Sequence, residues 1–170
     1  MASLDKIQLL LLDVDGVLTR GDLSYTDSGE QIKTFNSKDG LGLRLLMDAE
    51  VKVGIVTGRS AGALLHRCQN LGITLIFDGV KKKGEAVKDI SKSTGIALEH
   101  MAFMGDDLID LPAMTRVGLS IAVADASTEV QEHADMVCVN PGGRGAVREV
   151  CEQILKAKGL WEEILESYLQ

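Results

Sequence analysis

Two acidic segments stand out by their spacing. Asp13-Val14-Asp15-Gly16 follows the apolar run Ile7–Leu12, and Gly105-Asp106-Asp107-Leu108-Ile109-Asp110 closes the run Met101–Met104. Carboxylates gathered in one place repel, a divalent cation relieves the repulsion, and an all-oxygen donor set is what Mg²⁺ prefers. A lone Asp-x-Asp-Gly is most often a turn or a helix cap. Two acidic clusters directly after buried-looking runs are harder to explain that way, because neither helps folding unless a cation or proton resolves the repulsion. An EF-hand calcium loop does not fit: Val17 stands where the third oxygen ligand belongs, and Ser24 stands at the final ligand position in place of glutamate.

Two further segments suit an anion. Val56-Thr57-Gly58-Arg59-Ser60 combines a hydroxyl, backbone N–H groups and a following helix start, the parts of an anion-binding corner. The blander reading is that Thr57 or Ser60 caps that helix. Gly79-Val80-Lys81-Lys82-Lys83-Gly84 is a cationic run, ordinarily a solvated face.

The elements that must position these groups follow from periodicity. Short apolar runs at Ile7–Leu12, Val51–Val56, Leu75–Phe77, Met101–Met104 and Ser120–Val123, with Met136–Val139 as a sixth, read as strands buried on both faces. Helical patterns lie between them at Leu41–Ala49, Ala61–Leu71, Glu85–Thr94, Leu108–Thr115, Ser127–His133 and Ala146–Lys158. This alternation predicts an α/β fold, a Rossmann-like three-layer sandwich with a mainly parallel sheet. Ligands of such sheets bind at the carboxyl ends of the strands, where all four segments fall. Gly21–Phe35 breaks the pattern: Leu23-Ser24-Tyr25 and Gln31–Phe35 alternate around Asp27-Ser28-Gly29, a β-hairpin inserted after the first strand. A two-stranded ribbon is marginal alone, so it needs a packing partner such as another subunit.

Composition narrows the function. With 170 residues, only two prolines and no linker-like stretch, one domain over 1–170 is expected, with the hairpin at about 21–35 and a C-terminal tail at about 160–170. A net charge of −7 argues against nucleic-acid or anionic-membrane partners. Ile7–Leu12 is far short of the ~20 residues a membrane helix needs, and Asp13 stands where a signal peptide would want a longer run and a cleavage site. A cytoplasmic protein is expected. The odd set Cys68, Cys138 and Cys151 has no Cys-x-x-Cys spacing and reads as buried thiols in a reducing compartment. His66, His100 and His133 share no ligand spacing, and Gly142-Gly143-Arg144-Gly145 lacks the Lys-Ser/Thr of a nucleotide P-loop.

Taken in order, Asp13-x-Asp15-Gly16, Thr57-Gly58-Arg59, Lys83 and Gly105-Asp106-Asp107-x-x-Asp110 resemble the four motifs of the haloacid dehalogenase superfamily. Longer strings, Asp13–Thr19, Phe35–Gly40, Gly105–Pro112, Val117–Ala126 and Gly142–Cys151, are similar to its capless sugar-acid phosphatases, so the resemblance spans Ile7 to Cys151. It implies Mg²⁺-dependent hydrolysis of an eight-carbon phosphorylated sugar acid in lipopolysaccharide precursor synthesis, with a nine-carbon substrate as the alternative. It also implies a homotetramer whose hairpins form a central barrel, with a neighbouring subunit helping to cover each site and the tail Trp161–Gln170 a candidate cover.

The resemblance assigns roles residue by residue. Asp13 is the nucleophile. The Asp13 carboxylate, the Asp15 backbone carbonyl and the Asp106 carboxylate hold the metal. Asp15 protonates the leaving alkoxide and then serves as base, so its surroundings must favour the neutral form at the start. Thr57 and the Gly58 N–H bind phosphoryl oxygens, and Lys83 pairs with phosphate and Asp13. Choosing Lys83 over Lys81 and Lys82 rests on aligning Gly79. Asp107 and Asp110 orient Asp106 or the metal's waters, with a buried structural role equally open for Asp110. Asn36, Ser37, Lys38, Asp39, Gly40, Arg44, Arg59 and Arg67 match positions that line the family's substrate site. Lys38 often has arginine in its place there, so the charge is kept and the bidentate fork is lost. A receiver-type phosphoacceptor also combines paired acids, threonine and lysine, but its acceptor ends the third strand, whereas Asp13 ends the first. A catalytically idle scaffold is disfavoured because every reactive position is filled.

Overall fold

Four consecutive leucines have no polar face to turn to water, so Leu9–Leu12 belongs at the centre of a sheet covered on both sides. It forms that strand, β1, and all four leucines are buried. In the computed structural model, which describes residues 3–170, β1 pairs with β4 (Lys52–Val56) and β6 (Met101–Gly105). β5 (Leu75–Phe77) lies outside β4, and β7 (Leu119–Ala122) and β8 (Met136–Val137) lie outside β6. The order is β5-β4-β1-β6-β7-β8 and every pairing is parallel.

The helices are α1 (Ser37–Asp48), α2 (Gly62–Leu71), α3 (Lys83–Thr94), α4 (Leu111–Met114), α5 (Thr128–His133), α6 (Ala146–Ala157) and α7 (Trp161–Tyr168). Right-handed crossovers place α1 and α2 on one face and α3, α4 and α5 on the other. α6 packs on α1 and completes the first layer, while α3 packs on α4 in the second. The expected sandwich is the one observed.

Element ends differ from the apolar periodicity where polar groups set them. α1 begins four residues before its pattern, at Ser37, because the Asn36 carboxamide oxygen accepts from the N–H groups of Lys38 (2.8 Å) and Asp39 (3.3 Å). α2 starts from Ala61 with no side-chain cap, so neither Thr57 nor Ser60 serves as one. Leu108–Thr115 divides into a 3₁₀ turn, Leu108–Asp110, and the short α4 with Pro112 in its first turn.

The hairpin consists of β2 (Ser24–Tyr25) and β3 (Gln31–Ile32), antiparallel and outside the main sheet. Leu23, Tyr25 and Ile32 are each about half exposed on it. At the other end of the chain, the α7 residue Trp161 lies under two cations of α6, Arg148 and Lys156, so the tail packs against its own chain.

Candidate active site

From β1 the chain steps outward through β4 and β5; from β6 it steps the other way through β7 and β8. The crossovers therefore diverge between β1 and β6, which opens a crevice beyond their carboxyl ends. Asp13 is the residue after β1, and Asp106 the residue after β6. The sheet register sets both: Leu12 pairs with Met104, and the Asp13 N–H donates to the Met104 carbonyl at 3.1 Å.

After Asp13 the chain turns sharply. The Val14 carbonyl accepts from Val17, Leu18 and Thr19, and Gly16 sits at φ 92°, in the left-handed region. A β-carbon at Gly16 would also collide with the Asp106 carboxylate. Glycine thus supplies both the turn and the room for the second acid.

Asp110 ties the far side together. Its Oδ2 accepts from the N–H groups of Asp106 (3.0 Å) and Asp107 (3.3 Å), and its Oδ1 accepts from Lys83 Nζ (2.6 Å). Lys83 opens α3, and its ammonium also lies 2.7 Å from Asp13 Oδ1. Lys83 is the member of the lysine run that reaches the acids; Lys81 and Lys82 are exposed. One carboxylate oxygen each from Asp13, Asp106 and Asp110 lies within 4.8 Å of the others. Both Asp110 oxygens are already engaged by Lys83 and the loop N–H groups, so the oxygens free for a cation belong to Asp13 and Asp106.

The electrostatics express this crowding. Burial, with the Asp110 charge beside it, pushes Asp13 up to about 6, against the pull of Lys83. Burial and the charges of Asp13, Asp110 and Asp107 push Asp106 up to about 8. Burial alone would lower Lys83, but the Asp13 and Asp110 carboxylates outweigh it and raise its pKa. Two carboxylates that hold protons this tenaciously form a site that gains from a hard divalent cation, and their oxygens match the donors Mg²⁺ takes.

A cavity of about 360 Å³ opens over these groups, lined by Asp13, Asp15, Thr57, Gly58, Arg59, Asp106, Asp107, Ile109, Gly21 and Leu23. Its size suits a small phosphorylated ligand. The buried Thr57 hydroxyl accepts from the Arg59 N–H at 3.4 Å, which leaves its own proton to donate into the cavity. Thus Asp13, Asp15, Thr57, Gly58, Arg59 and Asp106 come together around one space, with Lys83 paired to Asp13.

The remaining expected contacts do not line this cavity. Asn36 caps α1, and its carbonyl accepts from Arg67 Nη2 at 3.1 Å. The Arg67 guanidinium lies 5.8 Å from the centroid of the Phe35 ring, and a β-carbon at Gly40 would collide with it. Ser37, Lys38 and Arg44 are exposed along α1. Asp39 needs correcting as a substrate contact. It is buried, and its Oδ1 accepts from the Arg148 N–H at 3.0 Å, which anchors the first turn of α6.

Two cations stand beside Asp15. Lys33, just past β3, donates to Asp15 Oδ1, and Arg59 Nε stands 3.9 Å from Oδ2. Lys33 reaches Asp15 because the hairpin folds back over the tip of β1. Lys33 itself went unrecognised in the sequence: its strand position was legible, but its partner 18 residues away was not. Leu23 and Ile109 are apolar wall residues that nothing in the motifs marks.

Comparisons with known proteins agree with this geometry. Residues 75–149 match the model of the haloacid dehalogenase-like hydrolase family. The chain is 47% identical, over 96% of its length and 87% of the relative's, to 3-deoxy-D-manno-octulosonate 8-phosphate phosphatase KdsC of Escherichia coli strain B. A solved structure of that phosphatase from Moraxella catarrhalis, in complex with magnesium ion, phosphate ion and a KDO molecule, superposes with a TM-score of 0.95 at 38% identity, covering 97% of this chain and 95% of that one. The cobalt-bound deoxy-D-mannose-octulosonate 8-phosphate phosphatase of Haemophilus influenzae gives a TM-score of 0.94 at 42% identity, covering 98% of this chain and 99% of that one.

Proposed function

The chain belongs to the haloacid dehalogenase-like hydrolases, in the family of the 3-deoxy-D-manno-octulosonate 8-phosphate phosphatases, and from that premise we propose its reaction and the residues that carry it. The enzyme hydrolyses 3-deoxy-D-manno-octulosonate 8-phosphate to the free sugar acid and phosphate, as a step of lipopolysaccharide precursor synthesis. One observation carries the residue roles: the Lys83 ammonium bridges Asp13 and Asp110, and Asp13 shares the lining of one cavity with Asp106.

Asp13 attacks phosphorus in line with the leaving sugar oxygen, giving an aspartyl-phosphate. A magnesium ion held by the Asp13 and Asp106 carboxylates and the Asp15 backbone carbonyl supplies charge neutralisation between nucleophile and phosphate. Lys83 offsets the repulsion between the Asp13 carboxylate and the incoming dianion, and it holds that carboxylate in place before substrate arrives. The Thr57 hydroxyl and the Gly58 N–H receive phosphoryl oxygens. Asp15 gives its proton to the leaving oxygen and later takes one from the hydrolytic water. Arg59, at the cavity rim, meets the negative charge of the sugar acid.

The residues outside the cavity have a place in the same reading. Ser37, Lys38, Arg44 and Arg67 contact substrate from a neighbouring subunit, with Asn36 and Gly40 fixing their geometry. The half-exposed Leu23, Tyr25 and Ile32 support a hairpin-mediated homotetramer. The chain acts as a single domain in the cytoplasm, consistent with three buried unpaired thiols, and binds neither nucleic acid nor membrane. Among the described residues, no helix is long and apolar enough to cross a membrane.

The test is a magnesium-dependent phosphate-release panel over eight- and nine-carbon sugar-acid phosphates. The expected result is a higher kcat/KM for the eight-carbon substrate. A preference for the nine-carbon substrate would reassign it.

A further inference from the structure

Asp15 has a partner to which the roles above give no task. Lys33 lies at the base of the hairpin, one residue past β3, and its ammonium donates to Asp15 Oδ1. The Lys33 side chain is 5% exposed, against 21% for Asp15. Asp15 is the one carboxyl group that the Lys33 ammonium reaches among the described residues. Lys33 does not line the catalytic cavity. It reaches Asp15 from the hairpin side, where it borders a smaller recess with Thr19, Asp22 and Ser24. Asp15 Oδ2 stands 3.9 Å from Arg59 Nε, and Arg59 lines the cavity together with Asp15. The two oxygens are therefore distinguished, Oδ1 gripped from behind and Oδ2 on the side of Arg59.

We propose that Lys33 is a positioning residue for leaving-group protonation, holding Oδ1 so that Asp15 presents Oδ2 to the leaving sugar oxygen. This rests on the phosphatase reading above. In that step the bond from Asp13 to phosphorus forms and the bond from phosphorus to the sugar oxygen breaks, leaving its electron pair on the oxygen. The proton passes from Asp15 Oδ2 to that oxygen. The carboxylate left behind faces an ammonium already in place, so nothing has to reorganise around the new charge. A hairpin that would be marginal alone thereby contributes a side chain to the chemistry as well as apolar surface to a neighbour.

The experiment compares wild type, Lys33→Met and Lys33→Arg with magnesium, reading first-turnover release of the leaving group. Methionine keeps an unbranched apolar stem without the charge, and arginine keeps charge and donor. The substrates are the sugar-acid phosphate, whose alkoxide needs a proton, and an aryl phosphate, whose leaving group does not. Lys33→Met is expected to slow the sugar phosphate on the order of 100-fold, the scale of a misplaced catalytic group, with KM changed by less than about threefold. The aryl phosphate is expected to slow by less than about threefold, and Lys33→Arg to keep most of the sugar-phosphate rate, since protonation assistance is lost only where it is needed. Equal loss on both substrates, no loss on either, or an arginine variant as slow as the methionine one overturns the proposal. Thermal midpoints are matched first, and Lys33→Gln replaces Lys33→Met if that variant does not fold. A wild type that releases phosphate from neither substrate would instead overturn the phosphatase reading.

Discussion

The Lys83 ammonium lies 2.7 Å from Asp13 Oδ1, with both side chains withdrawn from water. Breaking a buried pair from one side leaves an uncompensated charge. Lys83→Met is therefore expected to destabilise the protein by about 3–5 kcal/mol near neutral pH. The loss should shrink below pH 6, where Asp13, pushed up to about 6, takes a proton. Denaturant unfolding at two pH values reads both effects. A loss of equal size at both would mean that the pair carries no such charge.

The acidic cluster fixes a sign for pH dependence. Asp106 is raised to about 8 and Asp13 to about 6, above the usual carboxylate value of 3.8. A raised carboxyl group stabilises the fold below its unfolded pKa, and that contribution is lost as pH rises through the folded value. The metal-free thermal midpoint should thus fall from about pH 4 to about pH 8, most steeply below pH 6, where both groups contribute. Magnesium should reverse the fall, bind more tightly as pH rises through that window, and release protons. Calorimetry in buffers of different ionisation enthalpy counts those protons; binding without proton release would contradict the scheme.

In the proposed scheme Asp110 organises the cluster and leaves the metal to Asp13 and Asp106, since both its oxygens accept hydrogen bonds. Asp110→Asn should lower stability by about 1–3 kcal/mol through the disturbed hydrogen bonds and reduce turnover. It should still bind one magnesium per chain by calorimetric titration. Loss of binding would make Asp110 a ligand.

Gly16 is confined both by its φ of 92° and by the Asp106 carboxylate its β-carbon would strike. Gly16→Ala should cost roughly 1–3 kcal/mol in stability from backbone strain alone. Because the displaced group is the proposed metal ligand, magnesium affinity should fall as well. Unchanged affinity would show that Asp106 has room to move.

Legibility in the sequence followed the range of the interactions. The sheet could be read because runs such as Leu9–Leu12 admit only a doubly covered strand. Asp13, Thr57 and Asp106 could be read because each follows a strand of one parallel sheet, so register alone carries them to one crevice. Lys83 follows from the same edge, but only the fold distinguishes it from Lys81 and Lys82. What could not be read depends on contacts that no local pattern announces. Asp39 resembles a substrate contact in its motif, yet it anchors α6 at a separation of 109 residues. The first turn of α1 was hidden because Gly40 and Gly42 interrupt the apolar spacing that Asn36 and tertiary packing override. Lys33 and Asp15 meet only because the hairpin folds back over β1.

The most direct measurement is phosphate release from 3-deoxy-D-manno-octulosonate 8-phosphate by wild type and Asp13→Asn, with and without magnesium. Turnover by the wild type is expected only with the metal. A folded Asp13→Asn is expected to be slower by at least about 1,000-fold, as for loss of a catalytic nucleophile. Wild-type rates in Asp13→Asn, or full turnover in a chelator, would contradict a mechanism built on Asp13 and the cation beside it.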